Sequence, residues 1–302
     1  MLIPGEPFAG SQVPVQGQEA TSSAFNGKAI YRPSGKAAEY SEWACNLYNG
    51  CTHNCSYCYN NHSLMSKTVG GTDVRLKKSL VDEQTAFQIF KAELSKVKDS
   101  IIKEDKALHF NFVSDPCLPE TIELNWKCIG HALREGVKCQ ILTKAADWLE
   151  NPVVVPAFQY KELISVGFTL TGCDDQEPGA APNAKRIEAM KKLHDMGIKT
   201  WASIEPIIDP GRALEMIKAT VGICDYYKIG ILSGKKSYNP DDIRTLKAEV
   251  DALNLEAEIY WKHSLTEFIN NAMNADYITK VLTNTQPRSR YDTDDSHKGV
   301  LQ

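Results

Sequence analysis

The sequence predicts an α/β fold: a parallel sheet with crossover helices, curled into a barrel or an incomplete barrel. Three observations predict it. Short apolar runs alternate with stretches of helical period from about residue 41 to 282. Six or seven such units in roughly 240 residues suit a barrel better than a small doubly wound sheet. Polar residues cluster where the apolar runs end, as they do when loops at one mouth of a barrel carry the chemistry.

The elements follow in order. Residues 1–40, rich in Gly, Ser, Pro and Gln with little periodicity, read as an extended arm. Trp43–Tyr48 reads as a first strand. Asp82–Ile101 is an amphipathic helix with Ala86, Phe90, Leu94 and Val97 on one face. Ala107–Val113 is the second strand, Thr121–Glu135 a helix closed by Gly136, and Val137–Leu142 the third strand. Leu163–Leu170 is the fourth strand. A helix over Lys185–Met196 carries Ile187, Met190 and Leu193 at helical spacing and stops at Gly197. Ile198–Ile204 is the fifth strand, Ala213–Val221 a helix, and Asp225–Leu232 the sixth strand. Asn239 and Pro240 open a further helix as N-cap and first residue, and Glu256–Trp261 is an extra strand. From residue 283 to 302 the chain is polar and reads as a disordered tail.

Composition narrows the function. Hydrophobic residues make up 42% and charged residues 24% of 302, an ordinary globular balance. A net charge of −4 argues against broad, sequence-independent nucleic-acid binding. With no export signal and no apolar run long enough for a membrane, a cytoplasmic location is expected. Nine cysteines in a reducing compartment then read as ligands, reactive thiols or buried packing rather than disulfides.

The most specific segment is Gly50-Cys51-Thr52-His53-Asn54-Cys55-Ser56-Tyr57-Cys58, with spacing C-x3-C-x2-C. Three thiolates on so short a loop wrap one metal centre, and thiolates favour iron–sulfur clusters or zinc. A [4Fe–4S] cluster with three protein ligands leaves one iron open to S-adenosylmethionine (SAM). The alternative is a zinc site of Cys51, Cys55 and Cys58 with His53 or His62. Zinc sites are usually built from two separated ligand pairs, and a second pair is missing nearby.

The segments NLYNGCTHNCSYCYN, FVSDPCLPE, ILTKA, GFTLTG, EPGAAPNAKRIEAMKKLHDMGIKTWASIEPII and KIGIL extend the likeness. Over about Ile30 to Ile208 the chain resembles the radical SAM family that includes spore photoproduct lyase. That resemblance implies a partial (β/α)6 barrel (an incomplete TIM barrel), a [4Fe–4S] cluster held by Cys51, Cys55 and Cys58, and SAM as cofactor. It implies that Ser114 and Asp115 meet the SAM amino group and that Lys144 approaches its carboxylate. It further implies Thr169 near the ribose and carboxylate, and Glu205 on the active face. Tyr57 is expected against the adenine, with core packing as the plainer alternative. Phe112 stands where the lyase carries a hydrogen-donating cysteine, so Cys117 is the expected substitute, with Cys173 as a second choice.

The expected activity is formation of a 5′-deoxyadenosyl radical that abstracts hydrogen from a substrate. A nucleic acid or nucleotide, as in the lyase-like relatives, is the first candidate. The basic segment Asn60–Lys78 is a candidate phosphate contact. Modification of a peptide or small metabolite is the second reading, and a non-catalytic zinc-binding scaffold the third. A flavodoxin or ferredoxin is the expected electron donor, because such clusters work at low potential. The domain layout expected is an arm over 1–40, a barrel over 41–282 and a tail over 283–302, in a monomer.

Overall fold

A computed structural model describes residues 28–62, 66–232 and 238–284. The strands are β1 (Ile30–Tyr31), β2 (Trp43–Cys45), β3 (Tyr48–Asn49), β4 (Arg75–Leu76), β5 (Ala107–Phe110), β6 (Lys138–Thr143), β7 (Ile164–Thr169), β8 (Lys199–Ile207), β9 (Tyr226–Ile231) and β10 (Glu258–Trp261). The helices are α1 (Tyr59–His62), α2 (Ser66–Val69), α3 (Glu83–Lys103), α4 (Ile122–Arg134), α5 (Asn183–Asp195), α6 (Pro210–Ala219), α7 (Pro240–Ala252) and α8 (His263–Asn284).

Eight strands form one sheet in the order β1-β2-β5-β6-β7-β8-β9-β10, and β3 pairs with β4 in a separate hairpin. Within the eight-stranded sheet every pairing from β2 to β10 is parallel, and β1 alone runs antiparallel to its neighbour. This is a mixed α/β fold with a mostly parallel sheet. The edges at β1 and β10 do not pair with each other.

Local sequence explains the elements. Asp82 caps α3 by accepting from Thr85 N, and Ala86, Phe90, Leu94 and Ile101 form its buried face. Asn239 caps α7 by accepting from Asp241 N, with Pro240 at the first position and Ile243, Leu246 and Val250 buried. Asp209 and Pro210 start α6 the same way, three residues before the expected start at Ala213. The core lies between sheet and helices, around Phe90, Phe110, Trp126, Phe168, Met190 and Tyr227. Trp126 packs on Trp148 with ring centroids 5.1 Å apart.

Two further features differ from the sequence-based expectation. The end of the expected arm is built into the sheet: Ile30 and Tyr31 pair with Cys45 and Ala44, and Ala29 N and Ile30 N donate to Glu93 on α3 at 2.9 and 2.8 Å. A strand of two residues has no alternation to reveal it. The first strand also divides in two. Residues 43–45 join the main sheet, while Tyr48–Asn49 pairs with β4. Residues 1–27 of the expected arm and 285–302 of the expected tail lie outside the described residues. No helix among the described residues is long and apolar enough to cross a membrane.

Candidate functional site

A cavity of about 980 Å³ opens where β5 to β8 end, within the usual size range of small-molecule sites. Cys51, Cys55 and Cys58 line it, together with Tyr57, Ser114, Asp115, Lys144, Thr169 and Glu205. The strand-end logic therefore gathers these nine residues around one space. Their segments are far apart in sequence, and only the parallel register of the sheet brings them together.

The cysteine loop starts from Gly50, whose φ of +82° is left-handed, and a Cβ there would come within 2.1 Å of Asp73 O. Gly50 N and Cys51 N donate to Val69 O and Gly71 O at 3.0 Å, and Cys58 N donates to Cys55 O at 3.1 Å. Burial, then the Asp115 carboxylate, pushes the Cys51 thiol up to about 12. Burial also raises Cys55, opposed by the Lys144 ammonium. Among the described residues, no three His, Cys, Asp or Glu side chains converge as they would on a single metal ion. A four-iron cluster takes its thiolates at separate corners and needs no such convergence. The two histidines that zinc would recruit have other partners. His53 Nε2 lies 2.8 Å from Asp115 and its Nδ1 3.1 Å from Gly179 O, while His62 Nε2 lies 2.9 Å from Ser56 O.

Asp115 is buried and heavily bonded. Cys117 N, Thr143 Oγ1 and Lys144 N each donate to it at 2.8 Å, in addition to the His53 contact. Burial alone would raise its pKa. The His53 contact and the backbone donors outweigh that and hold the carboxyl below the usual carboxylate range. Its carboxylate therefore ties the ends of β5 and β6 to the cysteine loop. Ser114 Oγ beside it is buried with no hydrogen-bond partner among the described residues, as is the Asn111 side chain of the same segment.

Lys144 stands 5.6 Å over the Tyr57 ring, and Tyr57 donates to Glu177. Burial would lower the Lys144 pKa, but Cys55 and Glu177 raise it above the ordinary lysine value, so it is a cation. Thr169, buried at the end of β7, sits in register with Ser203 of β8. Between Ile204 and Ile207 β8 bulges against β9, and Glu205 falls within that bulge. Lys262 Nζ meets both Glu205 oxygens at 2.9 and 2.7 Å, and Tyr40 donates to the same carboxylate.

Cys117 does not reach this space. It is 3% exposed, belongs to the hydrophobic core beside Trp126 and Thr143, and is not among the cavity-lining residues. Its backbone N–H donates to Asp115, and it stands in the core cluster rather than in the cavity lining, so the expected hydrogen-donor role draws no support from this geometry. Cys173, buried beside Arg212, is likewise outside the lining.

Other cavity residues carried no usable sequence signal. Tyr40 lies in the expected arm, and His109 and Asn111 have no motif. His109 is buried, and burial followed by the Lys228 charge pushes its pKa down to about 3, so the ring is neutral. Lys262 was visible only as a polar residue at a strand end. Lys228 stands behind this wall, donating to Glu39 O and Tyr40 O at 2.7 and 2.9 Å. Burial, then Lys262, holds its pKa down to about 7.

No protein-family model matches the chain. It is 24% identical over 255 residues to an uncharacterized protein of Acidianus two-tailed virus, covering 76% of this chain and 79% of that one. An uncharacterized protein of Methanocaldococcus jannaschii is 29% identical over 207 residues, covering 65% and 72%. A spore photoproduct lyase variant with bound AdoMet and dinucleoside spore photoproduct superposes with a TM-score of 0.57 at 15% identity, covering 76% of this chain and 78% of that one. SuiB of Streptococcus suis superposes with a TM-score of 0.51 at 13% identity, covering 82% and 54%. The chain thus shares the fold of spore photoproduct lyase, the radical SAM enzyme that its cysteine loop and strand ends resemble.

Proposed function

We propose that this protein is a radical SAM enzyme. The observation that carries the reading is the meeting of the C-x3-C-x2-C loop with the polar ends of β5, β6, β7 and β8 around one cavity. Cys51, Cys55 and Cys58 would hold a [4Fe–4S] cluster. The residues around them suit SAM: Lys144 is a cation for its carboxylate, and the unpartnered Ser114 Oγ is available to its amino group. The Tyr57 ring offers a flat face for the adenine, and Thr169 a hydroxyl for the ribose. When bound and supplied with one electron, cluster and SAM would provide the 5′-deoxyadenosyl radical chemistry for hydrogen abstraction from substrate.

The chain's own work is positioning and exclusion of water. Asp115 joins the cysteine loop to β5 and β6 through His53, Thr143 and Lys144 N. Glu205, neutralised by Lys262 and bonded by Tyr40, forms a fixed polar wall on β8. A flavodoxin or ferredoxin would deliver the electron. The substrate class supported best is a nucleotide or nucleic acid, because the lyase of the same fold binds a dinucleoside photoproduct.

Metal analysis tests the reading. Anaerobic protein reconstituted with iron and sulfide is expected to hold about four irons and four acid-labile sulfides, and the Cys51→Ala, Cys55→Ala, Cys58→Ala variant almost none. Zinc without iron or sulfide would favour a binding scaffold instead. A single-stranded oligonucleotide whose binding falls steeply with added salt supports the nucleic-acid substrate, and no binding at low salt removes it.

A further inference from the structure

The loop between β7 and α5 supports the cysteine loop at several points. Ser56 N donates to Gln176 O at 2.9 Å, and Gly179 N to His53 O at 3.0 Å. At Gly179 the two backbones touch so closely that a Cβ would come within 2.2 Å of Thr52 O. Glu177 is central to this contact. It accepts from Tyr57, the residue between Ser56 and Cys58, and from Thr171 Oγ1 at 3.2 Å. Arg186 of α5 pairs with it at 2.7 Å, and both side chains are fully buried. Arg186 also donates to Thr169 O and Ala181 O, each at 2.7 Å. One guanidinium thereby fixes the end of β7, the loop after it and, through Glu177, the tyrosine of the cysteine loop.

A buried ion pair is weak evidence of net stabilisation, because desolvation offsets its attraction. It does fix geometry, since every donor and acceptor has a specified partner. We propose that Glu177, anchored by Arg186, is a positioning residue that sets the geometry and electrostatics of the cluster ligands through Tyr57. This rests on the radical SAM reading above. Groups that orient a ligand set tune the metal without touching it. Glu177 also places a negative charge behind the ligand loop, and net charge near a cluster is one lever on its potential.

Three variants, Glu177→Gln, Glu177→Ala and Tyr57→Phe, separate this role from simple support. The readouts are the EPR spectrum of the reduced cluster, its midpoint potential and the rate of iron loss to a chelator, each in anaerobically reconstituted full-length protein. Glu177→Gln can still accept from Arg186 through its amide oxygen and donate its amide N–H to the Tyr57 hydroxyl, so the link to both is kept while the charge is removed. It should keep the parent's iron content and shift the midpoint potential upward. Tyr57→Phe and Glu177→Ala break the link. They should change the EPR signal and release iron faster by about tenfold or more, the scale of outer-shell effects on metal sites. Melting of the cluster-free proteins reports the fold separately, and Tyr57→Phe remains informative if a Glu177 variant does not fold. Parent-like spectra, potentials and iron release in the folded variants overturn the proposal alone. A parent that takes up no cluster overturns both the proposal and the function beneath it.

Discussion

At the residue scale, two lysines near the cavity have opposite jobs. Lys144 is a cation with no salt bridge among the described residues, facing Tyr57 and the cysteines. Replacing it with methionine should weaken SAM binding by about 10–100-fold, the value of one charge-assisted hydrogen bond. Calorimetry with SAM on the reconstituted protein checks this, and unchanged affinity would remove Lys144 from the site. Lys228 is buried under Tyr40 and Trp201, and its pKa falls from the ordinary 10.5 to about 7. Between those values the unfolded chain binds more protons than the folded one, so stability should rise with pH from about 7 to 10.5. In Lys228→Met that rise should flatten in melting curves taken across the range. The three cysteines were legible because thiols so spaced on one short loop suit a metal centre and little else. Tyr40, His109 and Asn111 were not, because a lone polar residue before or within a strand reads as surface or packing.

At the element scale, β1 belongs to the domain rather than to a loose arm. Ile30 is 4% exposed and lies in the main core. Ile30→Ala should cost about 2–4 kcal/mol in denaturant unfolding, as for other buried isoleucines. A cost near zero would return residues 28–40 to the arm. The longer elements were legible because each combined a period with a cap or stop, as α3 does with Asp82 and its buried face. Short elements carry no period, so β1 and the β3–β4 hairpin emerge only from tertiary pairing. The bulge in β8 is likewise invisible to alternation, yet it is where Glu205 meets Lys262. Lys262→Met would leave that carboxylate without its cation and should destabilise the protein by about 3–5 kcal/mol. Denaturant unfolding of that variant checks the figure.

At the scale of the whole molecule, the parallel sheet is the device that turns scattered motifs into one site. Cys51, Asp115, Lys144, Thr169 and Glu205 span more than half the described chain and share one cavity because their strands end on the same side. The alternation of strands and helices made that side legible in advance. Which strand-end residues face the cavity depends on side-chain direction, which spacing does not reveal: Ser114 and Asp115 line the cavity, whereas Cys117 of the same segment belongs to the core cluster. Radical SAM chemistry in this cavity requires SAM cleavage. It is read by mass spectrometry for 5′-deoxyadenosine after the reconstituted protein is reduced and given SAM. 5′-Deoxyadenosine should form with the parent and be missing with the Cys51→Ala, Cys55→Ala, Cys58→Ala variant. A parent that holds its cluster yet yields no 5′-deoxyadenosine with any of several reductants would not be a radical SAM enzyme.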